Sequence, residues 1–276
     1  MQKNLNRYKK NIALFIHNLR LNSSPRNILR TLLQELQRGY FLYIKNYVGS
    51  DRAVECPICG WGGEKFLPFG KSPRENARCP KCISLERHRA AYLYLKKILP
   101  RKKRIRLLHF APEEALEELF RSYKNIEYLS ADIDPNLAMV REDITHLSFN
   151  KGSLDIIFCS HVLQEVDYDL LAMRELFRVL VPGGFAIIIV PLRDITTTIE
   201  CSPSISSKER EKIFRERQNF RVYGRDFKER LESAGFKVRI ERFINSINRE
   251  EVKKFGLLPK SGNNLEMVVD IYICKK

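Results

Sequence analysis

From residue 105 onward, short apolar runs alternate with stretches whose apolar residues recur at helical spacing. The apolar runs predict six strands, at Ile105–Phe110, Ile126–Ser130, Leu154–Ser160, Phe185–Val190, Phe236–Ile240 and Met267–Cys274. The helical spacing predicts helices between several of them, at Pro112–Tyr123, Leu170–Val179 and Asp226–Ala234. The sequence VPGG at 181–184 predicts a tight turn into the strand at Phe185–Val190. Such alternation favours a parallel or mostly parallel sheet with helices on both faces, so we expect an α/β domain here.

The residues before this domain follow other patterns. Apolar residues between Asn27 and Tyr43 keep helical spacing, whereas residues 51–82 are dense in Gly, Pro and Cys and show no periodicity. A further helix is predicted over Ser84–Leu99 and is followed by the charge run RKKR. We therefore divide the chain into a basic helical arm (1–50), a cysteine-containing module (51–83), a connecting helix with a basic linker (84–104) and the α/β domain (105–276).

The positive charge lies in one part of the chain. The net charge is +16, yet residues 1–106 hold 24 Lys and Arg against 6 Asp and Glu, while residues 107–276 hold 25 against 27. This asymmetry favours a polyanionic or phosphate-bearing partner at residues 1–106, such as RNA, a lipid phosphate or an anionic membrane surface. The alternative is that the basic side chains only keep helix faces soluble.

Composition also bears on the compartment. No apolar run approaches the roughly 18 residues that cross a bilayer, and we identify no signal peptide. Seven cysteines, an odd number, argue against a secreted disulfide scaffold. We expect a reducing, cytoplasmic setting, and the basic excess adds the expectation of a peripheral position at the inner membrane face.

Two cysteine pairs, CPIC at 56–59 and CPKC at 79–82, are the most specific feature of the module. Their separation is close to the spacing of zinc knuckles, in which each pair points at one ion and the four thiolates close a tetrahedron. We therefore predict a structural zinc site formed by Cys56, Cys59, Cys79 and Cys82, in a fold of the zinc-ribbon type. His88 is an alternative ligand or an ordinary residue of the next helix.

Other cysteine chemistries fit the pattern less well. A thioredoxin-like redox pair needs a single CxxC in a βαβ setting, and a zinc deaminase needs an H-x-E motif upstream of its PCxxC. No H-x-E motif precedes either pair in this chain. With no secretory signal, disulfide pairing is also disfavoured.

Several motifs in combination give the chain a recognisable family pattern. They are LPFGKSPRENARCPKCISLERHR, LLHFAPE, YLSADIDP, REDITHLSF, GSLDIIFCSHVLQEV, ELFRVLVPGG and VYGRDFKERLESAGF. With these motifs, the segment from about Cys56 to the C-terminus resembles class I, type 11 methyltransferases that carry an N-terminal zinc ribbon. The resemblance implies a doubly wound, Rossmann-like sheet of seven strands with a reversed last hairpin. It also implies S-adenosylmethionine (SAM) as cofactor.

The resemblance also implies cofactor-binding positions. Asp132 aligns with the family's ribose-binding acid at the end of the second strand, and a helix cap is the alternative reading. Asp143 and Ile144 align with the residues that contact the adenine, with a surface loop acid as the alternative. Ile133 and Ser160 are expected to border the cofactor as well.

The first loop departs from the usual G-x-G form and reads His109-Phe110-Ala111-Pro112-Glu113. SAM carries no pyrophosphate, so the small Ala111, with Pro112 at the first helical position, is expected to suffice. Glu113 is a candidate to face the cationic parts of SAM. The alternative for Glu113 is charge matching to a helix N-terminus.

Catalytic and substrate-binding candidates follow the predicted strands at Leu154–Ser160 and Phe185–Val190. His161 and Glu165, in FCSHVLQEV, are candidates for a general base, and local packing is the alternative. Arg221 and Tyr223, in an insertion after the strand at Phe185–Val190, are candidates for substrate contact, with Arg221 able to clamp a phosphate or carboxylate.

The function that these motifs favour is transfer of a methyl group from SAM to an oxygen or nitrogen nucleophile. We favour a saccharide or another small molecule of surface-polysaccharide synthesis as the acceptor, because no aromatic-plus-basic RNA-reading motif occurs. The alternatives are an RNA methyltransferase that holds RNA on a basic zinc ribbon, and a non-catalytic binding protein on the same fold.

Overall fold

The structure is a computed structural model that describes residues 52–70, 73–258 and 270–276, together with Leu33 and Leu36. Leu33 and Leu36 are helical and exposed. The remainder of the predicted basic arm (1–50) lies outside the described residues, as do residues 259–269. Within the described part of the chain, none of the helices combines the length and the apolar character needed to cross a membrane.

The centre of the fold is a seven-stranded sheet. Its strands are β5 (Ile105–Phe110), β6 (Ile126–Asp132), β7 (Val140–Arg141), β8 (Leu154–Ser160), β9 (Leu180–Ile189), β12 (Lys237–Glu241) and β13 (Ile271–Lys275). Their order across the sheet is β12-β13-β9-β8-β5-β6-β7. Strands β5 to β9 pair in parallel, whereas β13 is antiparallel to both β9 and β12. This arrangement confirms the predicted doubly wound sheet with a reversed last hairpin.

Helices cover both faces of the sheet because its strands are apolar on both sides. The helices are α1 (Glu86–Ile98), α2 (Glu114–Ser122), α3 (Asp169–Val179), α4 (Ser207–Phe214), α5 (Phe227–Ser233) and α6 (Arg249–Lys254). One buried cluster joins α1 and α2 to one face, through residues such as Leu95 and Phe120. A second cluster joins α3 and α5 to the other face, through residues such as Met173 and Phe227.

Each of the six predicted strands has a counterpart in the sheet, but the predicted bounds agree with the observed ones for only two of them. β5 and β8 have the predicted bounds, but β7 was not predicted. Pro112 was expected to begin a helix; α2 begins two residues later, with Glu113 at the N-cap position. The sequence VPGG at 181–184 was expected to be a turn, yet it lies within β9, where Gly184 passes close to the Asp155 carbonyl.

The module that precedes the sheet contains two small antiparallel hairpins. They are formed by β1 (Val54–Glu55) with β2 (Gly62–Gly63) and by β3 (Leu67–Phe69) with β4 (Arg74–Arg78). A third short pair, β10 (Ile199–Glu200) with β11 (Arg221–Val222), lies in the insertion after β9. The predicted connecting helix, α1, also covers one face of the sheet, so residues 84–104 are part of the α/β core.

Arg89 joins the module to the rest of the fold. Its side chain is fully buried and stacks on the Phe66 ring, with 4.0 Å between the guanidinium carbon and the ring centroid. The guanidinium donates hydrogen bonds to the carbonyls of Ala77 and Ser84 in the module, and to those of Phe255 and Gly256 at the end of α6. These bonds hold the first turn of α1 against both parts.

Candidate functional site

The four cysteines of the module come together as one cluster. Their sulfur atoms lie within 4.8 Å of one another, with 3.6 Å between Cys56 and Cys82 and 3.7 Å between Cys59 and Cys79. Zn–S bonds of about 2.3 Å in a tetrahedron place sulfur atoms roughly 3.8 Å apart. The donor set and its spacing therefore fit one tetrahedral zinc ion.

The backbone after each cysteine pair turns in the same way. Gly60 and Ile83 directly follow the second cysteine of each pair, and both adopt a left-handed φ, of 67° and 56°. The Gly60 amide donates to the Cys56 carbonyl, and the Ile83 amide donates to the Cys79 carbonyl. These two matching turns aim all four sulfurs at the same point.

A cavity of about 450 Å³ lies where the parallel strands end, and the module closes one side of it. Residues 111–115, 132–134 and 137, with 160, 161 and 165, line it from the sheet side, whereas residues 82–84, 87 and 88 line it from the module and α1. Ligands in open α/β sheets bind at this edge. The cavity therefore contains most of the predicted cofactor and catalytic residues.

The first loop brings Ala111 and Glu113 to the cavity wall. Ala111 has a left-handed φ of 46°, a conformation that favours glycine, at the point where related loops carry G-x-G. His109 Nε2 donates to Glu113 Oε2 at 2.8 Å, because an ionised carboxylate can only accept, and the Tyr128 hydroxyl lies 3.1 Å from Nδ1. Burial raises the pKa of Glu113, but the His109 bond and nearby positive charge outweigh it and lower the pKa to about 2.

Asp132 is the last residue of β6, and it lines the cavity together with Ile133. Its Oδ1 accepts a hydrogen bond from the Asp134 amide at 2.9 Å, which fixes the direction of the carboxylate. Asp143 and Ile144 are not part of the cavity wall. The Asp143 carboxylate accepts from the Thr145 amide and hydroxyl, while Ile144 is buried in the core.

Ser160, His161 and Glu165 meet at the end of β8. Ser160 is buried, and His161 has a left-handed φ of 56°. The His161 amide donates to the Ile189 carbonyl, and Gln164 Nε2 donates to the His161 carbonyl, so the bend is fixed from both sides. Burial, with the nearby charge of Arg87, lowers the pKa of His161 well below its usual value. The imidazole is therefore neutral at physiological pH.

Glu165 lines the cavity; the residue as a whole is exposed, but the protein atoms around the cavity limit the hydration of its carboxylate. This burial raises the pKa of Glu165 to about 7; the hydrogen bond from Gln164 opposes the shift and the charges of Glu216 and Asp132 add to it. A carboxylate with such a pKa can exchange protons near neutral pH.

We expect one glutamate carboxyl signal to titrate near pH 7 in a ¹³C NMR titration of the full-length protein, and that signal to be missing in Glu165→Gln. The pKa is above the ordinary value for glutamate of about 4.3, so the carboxyl stays protonated through the weakly acidic range and ionises only as the pH rises through 7. A set of glutamate signals that all titrate below pH 5.5 would contradict this assignment.

Arg221 and Tyr223 do not reach this cavity. Arg221 Nη1 and Nη2 donate to the carbonyls of Leu163 and Asp167, at 2.9 and 2.8 Å, and only 2% of the side chain is exposed. The Tyr223 hydroxyl donates to Asp169 Oδ2 at 2.8 Å. Substrate contact at these positions stays a prediction; in this structure both side chains bind the loop after β8 and the start of α3.

Several further residues were not predicted from the sequence to line this cavity. Among them are Ile83, Arg87 and His88, from the end of the module and the first turn of α1. His88, the alternative metal ligand, has other neighbours: its Nδ1 accepts from the Leu85 amide, and its Nε2 lies 3.7 Å from Glu113 Oε1. Their one sequence signal is the run SLERHR directly after the last cysteine.

The comparisons with known proteins concern the α/β part. Residues 121–188 match the family described as "Methyltransferase domain". No curated protein matches the sequence. The matched residues run from the end of α2 to β9 and include both Asp132 and Glu165.

Several solved structures are similar to this chain at low identity. A SAM-dependent methyltransferase from Archaeoglobus fulgidus is 18% identical over 68% of this chain and 94% of that chain, with a TM-score of 0.45. One from Mesorhizobium loti is 14% identical over 67% and 96%, with a TM-score of 0.48. Phosphoethanolamine N-methyltransferase 2 from Haemonchus contortus, solved with phosphomonomethylethanolamine and S-adenosylhomocysteine, is 16% identical over 67% and 52%, with a TM-score of 0.48.

The strand order gives this protein a Rossmann-like fold, the fold of SAM-dependent methyltransferases, and residues 121–188 match a methyltransferase domain. A cluster of four cysteines lies N-terminal to that fold.

Proposed function

We propose that this protein transfers the methyl group of SAM to an oxygen or nitrogen nucleophile in the cavity at the strand ends. The observation that supports this most is that Asp132, at the end of the second strand of the sheet, and Glu165, with a pKa of about 7, line the same cavity. The first carboxylate suits a ribose, and the second suits proton removal.

In this proposal, the residues at the sheet edge hold the cofactor. Asp132 accepts hydrogen bonds from the two ribose hydroxyls, while Ala111, Glu113, Ile133 and Ser160 border the remainder of the cofactor. The adenine contact of Asp143 and Ile144 stays a prediction from family resemblance; in the present geometry the Asp143 carboxylate bonds to Thr145.

The chemistry requires little from the protein beyond positioning. SAM supplies a methyl group on a sulfonium, so the C–S bond breaks as the bond to the acceptor oxygen or nitrogen forms. Glu165 accepts the proton that the acceptor releases, because its pKa lies close to neutral pH. His161 is a neutral imidazole at the same edge and is the second candidate for this proton.

We also propose that the cysteine cluster binds a structural zinc ion. Support comes from the sulfur separations of 3.6 and 3.7 Å and from the two matching turns after the cysteine pairs. Four thiolates complete a tetrahedral shell and leave no open position for substrate. The ion would hold together a module that has only a small apolar cluster around Trp61 and Phe66.

For the acceptor we favour a saccharide or another small molecule. The cavity of about 450 Å³ is within the range of small-molecule sites, roughly 300 to 1,000 Å³, and the module closes it from one side. A polar small molecule would fit between the carboxylates at the strand ends and Arg87 of α1.

Calorimetry with S-adenosylhomocysteine (SAH) on the folded, zinc-replete chain tests the methyl-transfer proposal. We expect one SAH to bind per chain, followed by transfer of a radiolabelled methyl group from SAM to saccharide fractions. If millimolar SAH does not bind, the chain is instead a binding protein that retained the fold and lost catalysis.

RNA is the second candidate acceptor, and the charge asymmetry favours it. Residues 1–106 carry a balance of 24 basic to 6 acidic side chains. Phosphate contacts weaken steeply with salt, so the affinities for RNA and for anionic vesicles, measured across a salt series, test whether residues 1–106 bind a polyanion. Affinities that do not change with salt for either ligand would contradict a polyanionic partner.

A further inference from the structure

Arg87 is the second residue of α1 and lies five positions after the last cysteine of the cluster. It lines the same cavity as Asp132 and Ser160. The position of this turn is held firmly, because Arg89, two residues later, donates to the Ala77 carbonyl of the module and to the Ser84 carbonyl just before α1. The module therefore determines where the Arg87 side chain lies.

The Nε atom of Arg87 has no hydrogen-bond acceptor among the residues that the structure describes, although it is shielded from solvent. Glu113 and Glu86 act on the guanidinium through their charge only, since neither is hydrogen-bonded to this Nε. The neighbouring arginines differ in this respect: Arg74 pairs with Glu86 at 2.6 Å, and Arg89 donates to four carbonyls. A shielded donor without an acceptor is costly, and a bound anion would offset that cost.

The other charged groups at the cavity leave this role to Arg87. Glu113 is already held by His109 Nε2 at 2.8 Å, and it lies 3.7 Å from His88 Nε2. Burial lowers the pKa of His88 to about 3, so that ring is neutral and does not compete for an anion. Asp132 and Glu165 line the sheet side of the same cavity.

We propose that Arg87 is an anion-binding residue of the cavity and holds a carboxylate or phosphate of the molecule bound there. This inference rests on the proposed function, since it assigns one contact within the same site. Two sources would supply the anion: the carboxylate of the cofactor's amino-acid part, or an anionic group on the methyl acceptor. In both cases, the cysteine module contributes directly to ligand binding.

The test compares SAH with 5′-methylthioadenosine, which keeps the nucleoside and lacks the carboxylate. In Arg87→Leu we expect the affinity for SAH to fall about 10- to 100-fold and the affinity for methylthioadenosine to stay unchanged, as for loss of one charge-assisted hydrogen bond. Arg87→Lys keeps the charge and should recover part of the loss. Arg101→Leu, an exposed arginine outside the cavity, is the matched control.

Inorganic phosphate, titrated into the free and the SAH-loaded protein, distinguishes the second source. Unchanged SAH affinity, with phosphate binding that Arg87→Leu abolishes, would assign the anion to the acceptor. The inference is overturned if Arg87→Leu, with an unaltered unfolding midpoint, changes neither SAH nor phosphate binding, or weakens both nucleosides equally. If the wild type binds neither nucleoside, the proposed function fails, and the phosphate titration alone decides the role of Arg87.

Discussion

Removing the metal from the cysteine cluster is expected to unfold residues 52–83 and to lower the affinity for SAH at least tenfold. Structural zinc contributes on the order of 10 to 16 kcal/mol to the folding of small zinc modules, and this module has few buried apolar residues to replace it. Its loss frees the first turn of α1, which borders the cavity and is held by the Arg89 bonds to Ala77 and Ser84.

The single tryptophan of the chain reports this change directly. Trp61 is buried beside the cluster, with its ring centroid 5.6 Å from that of Phe66, so its fluorescence should shift to the red on chelation and return when zinc is added. Cys79→Ser should reproduce the chelated state. Cys201→Ser, a cysteine outside the cluster, should change neither the emission nor SAH binding. Unchanged Trp61 emission after complete zinc removal would contradict a structural role for the ion.

Replacing Asp132 by asparagine is expected to weaken SAH binding about 10- to 100-fold with little change in stability. The amide is isosteric and retains the oxygen that accepts from the Asp134 backbone, so the loop after β6 keeps its course. What is lost is the charge and one acceptor for the ribose hydroxyls, and hydrogen bonds to charged groups contribute about 1.5 to 3 kcal/mol. Calorimetry with SAH and thermal unfolding measure the two quantities separately.

Asp134→Asn is the matched control for this substitution. Asp134 lies two residues further on in the same cavity wall, but its Oδ1 accepts from the Asn136 amide, a bond that the asparagine oxygen preserves. We expect SAH affinity within a factor of about three of the wild type, because this oxygen is already held by the turn and not by the cofactor. Equal losses in both variants would show that the loop shape, and not a ribose contact of Asp132, determines the affinity.

The strands show where the hydrophobic pattern of the sequence was sufficient to predict an element and its bounds. β5 and β8 have the predicted bounds because both are central, and their apolar runs are buried on both faces. β7 was missed because it has two residues at the sheet edge and carries no periodic signal. VPGG was mistaken for a turn because Gly and Pro usually end a strand, whereas here Gly183 takes a φ of 78° within β9.

The site residues likewise divide into those whose position the sequence predicted and those whose position it did not. Asp132, Ser160, His161 and Glu165 follow strands of a parallel sheet, whose carboxyl ends share one edge, so their meeting could be predicted. For Arg221 the sequence did not indicate burial, because an arginine is usually exposed. The loop after β8 offers it three carbonyls, and this contact depends on two distant segments packing together.

By itself, the sequence determined the cysteine cluster, the order of strands and helices, and the acid at the end of β6, because each depends on spacing over a few residues. Only the tertiary structure decided which shielded donor lacks an acceptor and which carboxylate has a raised pKa. Burial and neighbouring charges set these properties, and they arise from segments far apart in the chain: Arg87 of α1 lines the same cavity as Glu165 after β8. For the same reason, only the fold shows that the cysteine module forms one wall of the cavity.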